Sequence, residues 1–233
     1  MKTLIWTLPT RIFHWLLALG FTTTYILGDF EEIINFHFAF GAFVSVLILF
    51  RLLFGLIGPK YSHFKDFPIG INHQKAFIKN YFSKDLYVGH NPVAALVMLT
   101  ILLIGLLCGI SGFLLTVDGN NILNTIGNTE LLKDTHEVLA NVFLGLVIMH
   151  LLGVLSDAVF HWKTGTLTSI FDGYKNVEAG NAKLNIFQKA FSFLWFVIPF
   201  IFFYLAFGLQ PINSKENNEY KNERSRNEDG DDD

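Results

Sequence analysis

The chain has 233 residues, of which 52% are hydrophobic and only 16% charged, against roughly 25% charged in a soluble domain. Its few charges cluster between long stretches that hold almost none. That pattern excludes an ordinary soluble domain and places the chain in lipid, with no nucleic-acid partner expected.

Five stretches run near or past the roughly 18-residue threshold for a membrane span: Leu8–Gly28, Phe36–Ile57, Pro92–Val117, Val138–Phe160 and Ala190–Leu209. None has the polar face of a soluble core helix. The first is full length and has no small-residue cleavage site before the second, so it reads as a retained helix. Between the second and third, Phe77, Ile78, Tyr81 and Phe82 share one face within Asn72–Phe82, with Lys75 and Lys79 elsewhere. This is the pattern of a short interfacial helix. Pro92 fits the first turn of the third span. Trp6, Trp15, Trp162 and Trp195 lie near span ends, as an aromatic belt requires. The tail Asn213–Asp233 has four basic and eight acidic residues and almost nothing apolar, so disorder is expected there. The reading is an all-α protein: a four-helix transmembrane bundle within residues 1–187, a fifth transmembrane helix within 188–210, and an acidic tail over 211–233.

Loop charge sets the orientation. Lys2 and Arg11 lie at the N-terminus, Lys60, Lys65, Lys75, Lys79 and Lys84 after the second span, and Lys163, Lys175, Lys183 and Lys189 after the fourth. The other two loops hold only Lys133, beside Asp29, Glu31, Glu32, Asp118 and Glu130. The positive-inside rule puts the N-terminus in the cytoplasm, and with five spans the tail lies on the other side of the membrane.

Ionisable groups inside spans are costly, so each needs a reason. His14 is near the cytoplasmic end of span one, and His37 is at the outer end of span two. Span four has His136 at its outer end and His150 toward the cytoplasm. His136 and His150 are fourteen residues apart, about 21 Å along a helix and only about 40° in azimuth, so one face presents both. Spans one and two run in opposite directions and meet those levels with His14 and His37. Two cross-helix pairs result, His14 with His150 and His37 with His136. Paired neutral imidazoles facing across a bundle are what a b-type haem requires, and two haems would carry an electron through hydrocarbon. The plainer readings are buried histidines bonded to carbonyls, or a proton relay. C-x-x-C-H is excluded, because Cys108 is the one cysteine and reads as a small packing residue.

Arg51 lies fourteen residues after His37 and so projects from the same face at the inner level. It reads equally as a partner for a haem propionate and as an arginine snorkelling to headgroups. Gly41, Gly105, Gly109, Gly112 and Gly145 permit close approach of a helix or a macrocycle. His63, His73 and His161 read as surface histidines.

Four segments together resemble the prokaryotic cytochrome b561 family, which includes the cytochrome b subunits of nickel–iron hydrogenases. They are WTLPTRIFHW around His14, FRLLFGLIGPKYSHF from Phe50, GHNP at Gly89–Pro92 and HEVLANVFLGLVIMH from His136. The resemblance covers residues 6–175. It implies a four-helix core holding two haem b, exchange with quinone, and electron delivery to or from a periplasmic c-type cytochrome or a dehydrogenase or hydrogenase subunit. His90, in the GHNP segment, reads equally as a contact to a propionate or quinone and as a structural residue. Two other functions stay open: a stand-alone quinone-linked oxidoreductase acting on superoxide or a ferric chelate, and a haem-free proton-relay transporter or scaffold.

Overall fold

The computed structural model describes residues 2–81, 87–116 and 129–211. Phe82, Lys84, Asp118 and the tail Asn213–Asp233, all used above, lie outside them.

A two-residue strand β1 (Thr3–Leu4) leads into α1 (Leu8–Leu27), followed by α2 (Ile34–Ile57), the short α3 (Ile71–Lys79), α4 (Pro92–Leu114) and α5 (Thr129–Phe160). Then come α6 (Thr166–Asp172), a second short strand β2 (Tyr174–Lys175) and α7 (Ile186–Ala206). α2 is the axis of the bundle and packs against α1, α4 and α7, while α5 lies along α4. Leu47, Ile48, Phe50 and Phe54 of α2 are fully enclosed.

Four helical segments are long and apolar enough to cross a membrane: Glu31–Ile57, Pro92–Leu114, Thr129–Phe160 and Ile186–Ala206. α1 is a 20-residue helix but not among them, because Arg11, His14 and Thr22–Thr24 dilute its hydropathy. The three threonines hide much of that polarity. Each donates its hydroxyl to the carbonyl four residues back, Thr22 to Ala18, Thr23 to Leu19 and Thr24 to Gly20, at 2.8–2.9 Å.

α5 begins nine residues before the expected Val138. Its first turns, TELLKDTHE, hold good helix formers in Glu130, Leu131, Leu132, Lys133 and Glu137 but little hydropathy, so a span-length search misses them. At 32 residues α5 is about 48 Å long against a hydrocarbon core of about 30 Å, so polar turns extend beyond the apolar layer. α7 also starts earlier than expected. Asn185 accepts the Gln188 N–H at 2.8 Å, and the Gln188 side chain accepts the Asn185 N–H at 3.0 Å, a reciprocal capping box. Gln188 Nε2 donates to the Ile57 carbonyl and Trp195 Nε1 to that of Val46, which fastens α7 to α2.

The N-terminal end of the bundle is closed by chain segments distant in sequence. β1 pairs antiparallel with β2, Thr3 opposite Lys175 and Leu4 opposite Tyr174. Trp6 Nε1 donates to Ser169 Oγ at 3.1 Å, and Ile5, Trp6, Tyr61, Val177 and Ala182 form a small buried cluster beneath the ribbon. Strands this short leave no periodicity to read.

Contacts among α1, α2, α4 and α5 repeat every seven residues, a step that turns a helix by only about 20° from two full turns and advances it about 10 Å. Nearest the N-terminal end are His14, Arg51, Met98 and His150. Midway are Phe21, Val44, Gly105 and Phe143. At the far end are Gly28, His37, Gly112 and His136. Each layer is joined by contacts of its own.

Candidate functional site

His37 stands in the first turn of α2 and His136 in the second turn of α5. Their ring centroids are 6.1 Å apart. His37 Nδ1 lies 2.9 Å from the Thr24 carbonyl, in the last turn of α1, where carbonyls lack helical partners. A carbonyl only accepts, so Nδ1 carries the proton and Nε2 has its lone pair available. His136 repeats the arrangement: its Nδ1 lies 3.1 Å from the Cys108 carbonyl and 3.0 Å from Ser111 Oγ. The Ser111 hydroxyl itself donates to that carbonyl at 2.9 Å. Gly112 makes the approach possible, since a Cβ there would stand 2.9 Å from His136 Cε1. A cavity of about 370 Å³ opens between the helices at this level, apolar in most of its lining, with both imidazoles and Gly41 in its wall. The carbonyl that orients His136 is backbone, and the Cys108 sulfur lies 3.8 Å from the same Nδ1.

The second pair lies fourteen residues along α5, about four helical turns, nearer the N-terminal end of the bundle. His14 of α1 and His150 of α5 have ring centroids 6.3 Å apart. His14 Nδ1 is buried without a hydrogen-bond partner. An imidazole nitrogen sits about 2 Å from a metal it ligates and roughly 1 Å from its own ring centre, so two imidazoles on opposite faces of one iron hold their centroids about 6 Å apart. Both separations fit that requirement. The carbonyl-bound Nδ1 atoms of the far pair fit it too, because ligating histidines ordinarily donate their second N–H to a fixed acceptor. No cluster of three or more His, Cys, Asp or Glu side chains that would hold a bare metal ion is present among the described residues.

Beside His14 and His150 lie two enclosed cations, Arg51 and Lys175, and a third enclosed histidine, His90. Arg51 is only 3% exposed, so it does not snorkel. Its guanidinium lies over the Phe64 and Phe67 rings at 5.1 and 5.9 Å, Nη2 reaches Met98 Sδ at 3.7 Å, and Nη1 has no partner. His90 packs between Trp6 and Phe67, at 4.8 and 4.7 Å, with Nδ1 enclosed and unpartnered. Burial, then the charges of Arg51 and Lys175 and the neighbouring His150, hold its pKa well below the ordinary histidine value, so His90 is neutral. Lys175 is 4% exposed, donates to the Gly89 carbonyl at 2.9 Å and lies over Trp6 at 5.5 Å. Burial brings its pKa down to about 8, against an opposing pull from Asp157. Stranding a buried charge costs on the order of 3–5 kcal/mol, and Arg51 Nη1 is a buried charged group left without a hydrogen-bond partner.

Lys175 is the residue that sequence reasoning missed. Among four lysines of one loop nothing marks it, and only the β1–β2 ribbon turns it inward. His161 is also less exposed than expected: it pairs with Asp157 at 3.4 Å and packs against Tyr81. His63 is at the surface margin, where its ring accepts the Lys65 N–H, and His73 is exposed.

No curated protein and no solved structure matches the chain. The family model for prokaryotic cytochrome b561 matches residues 5–173, a span that holds both histidine pairs and Arg51 and His90 and stops short of Lys175 and α7. The chain thus belongs to the prokaryotic cytochrome b561 family and is a multi-pass membrane cytochrome of the b type, a haem-binding protein of electron transfer.

Proposed function

We propose that the protein holds two b haems and relays electrons across a bacterial inner membrane, between quinone and a periplasmic redox partner. The observation that carries this reading is the pair of imidazole separations, 6.1 and 6.3 Å, at opposite ends of one bundle. His37 and His136 would ligate the outer haem, and His14 and His150 the inner one. Haem b, when bound, supplies a one-electron iron couple that no side chain of this chain offers.

The chain's own residues do the rest. The Thr24 and Cys108 carbonyls hold the outer imidazoles in one tautomer and one orientation. Arg51 and Lys175 face the inner level with positive charge and His90 with a polar ring, suited to the carboxylates of a macrocycle that no acidic side chain must neutralise. The mostly apolar walls of the cavity at the outer level leave little there for water to bond, which strengthens the bonds of the outer imidazoles. α1 would be the first of five spans. Twenty residues reach about 30 Å, its threonines are bonded internally, and it packs along α2.

Loop charge supports an N-terminus in the cytoplasm. The Lys-rich loops gather at the N-terminal end of the bundle, while Asp29, Glu31, Glu32 and Glu130 gather at the other. A periplasmic c-type cytochrome, or a dehydrogenase or hydrogenase subunit, would then meet an acidic face. A pyridine haemochrome assay on purified protein tests the central claim: two non-covalent haems per chain are expected, and one or none overturns it.

A further inference from the structure

We propose that Phe143, with Phe21 packed against its ring, is the bridge over which the electron passes between the two histidine-lined sites. The inference rests on the di-haem reading and adds the residue that connects the sites.

Phe143 lies seven residues from His136 and seven from His150, so it sits midway between the two ligands on nearly the same face of α5. Phe21 lies seven residues after His14 on α1. The two rings meet with centroids 4.3 Å apart, the shortest ring contact among the described residues. Phe143 is 3% exposed in a helix that otherwise shows most of its surface, and both rings line the floor of the outer cavity. α4 gives way to them. A Cβ on Gly105 would fall 2.5 Å from Phe143 Cε2, so the ring occupies the notch that glycine leaves. Ile48 fills the same notch from α2, and Leu102 and Val44 close the layer around it.

This layer contains no polar side chain to hold water, so it stays dry. Electron tunnelling decays more slowly through closely packed atoms than across a gap, and a packed apolar layer supplies atoms without dipoles that must reorient. With a haem held by each histidine pair, one electron would pass from the reduced group to the oxidised one, so that one is oxidised as the other is reduced. No bond forms or breaks, no proton moves, and the phenyl rings are never oxidised.

The test uses the full-length protein with both haems. A light-driven one-electron donor reduces one site, and transient absorption follows re-equilibration with the other. Phe143→Ala should slow that phase several-fold, and Phe143→Leu less, with two haems per chain and both midpoint potentials as in the wild type. Gly105→Ala, which pushes on the same ring from α4, should slow it as well. An unchanged rate in Phe143→Ala that retains two haems overturns the bridge and leaves the di-haem reading intact. If Phe143→Ala loses a haem, an unchanged rate in Phe143→Leu overturns it. Wild-type protein with fewer than two haems removes the di-haem reading and the bridge together.

Discussion

His37 donates its Nδ1–H to the carbonyl of Thr24, 2.9 Å away on the neighbouring helix. That one bond joins the end of α1 to the start of α2 and selects the nitrogen that faces the cavity. It also uses a carbonyl that the helix end leaves without an internal partner. The far pair is thus oriented by backbone, while in the near pair His14 Nδ1 has no hydrogen-bond partner and cations stand close by. The two sites differ in what surrounds their imidazoles, and different surroundings tune potentials differently.

The histidine variants should sort by pair. His37→Ala and His136→Ala each remove the outer haem and spare the inner, whereas His14→Ala and His150→Ala do the reverse. Haem stoichiometry and low-temperature spectra of the four variants read this directly. If His14→Ala and His136→Ala abolish the same spectral component, the pairing is wrong.

Gly112→Ala places a methyl 2.9 Å from His136 Cε1, and so pushes the ring off the Cys108 carbonyl. Disturbing an outer-shell partner of a metal ligand typically costs about 10–100-fold in affinity. The outer haem should accordingly be lost on dilution or transfer to apomyoglobin well before the inner one. Equal retention of both haems would show that the ring has room to give.

Much of this site was legible in the sequence because helices have a rigid period. Fourteen residues between His136 and His150 dictate one face, and successive membrane spans run in alternating directions. What was not legible depends on contacts between distant segments. The β1–β2 ribbon that buries Lys175 is two residues wide, and nothing local announces it. The extra turns of α5 were hidden because Lys133, Asp134 and Glu137 favour water as much as they favour a helix. The early start of α7 was missed although its signal, Asn185 followed by Gln188, is present in the sequence.

Arg51→Met and Lys175→Met should each lower the midpoint potential of the inner haem and leave the outer one nearly unchanged. A nearby cation stabilises the reduced, more negative state of the cofactor, so its removal favours oxidation. Methionine keeps most of the apolar volume among Phe64, Phe67 and Trp6, which separates loss of charge from loss of packing. Potentiometric titration of both haems checks it. A shift confined to the outer haem would mean that these cations serve another site.

The last prediction concerns the partner's side. Asp29, Glu31, Glu32 and Glu130 stand at the far end of the bundle with Lys133 as a nearby cation, and Asp134 and Glu137 add to the same side. No ion pair joins these acids to a described lysine or arginine, so their charge is free to act at a distance. Such a face draws in a cationic redox protein and speeds encounter more than it strengthens the complex. Electron transfer to a lysine-rich c-type cytochrome should therefore slow as salt rises, because the Debye length shrinks from about 10 Å at 0.1 M to about 3 Å at 1 M. Charge-reversing Glu31 and Glu32 to lysine should flatten the salt slope without changing haem content, since neither residue is buried. Deleting Asn213–Asp233, with its eight acidic and four basic residues, measures the tail's share separately. A rate indifferent to salt would point away from a diffusing cytochrome and toward a permanently bound subunit, whose affinity comes from apolar surface that salt does not screen.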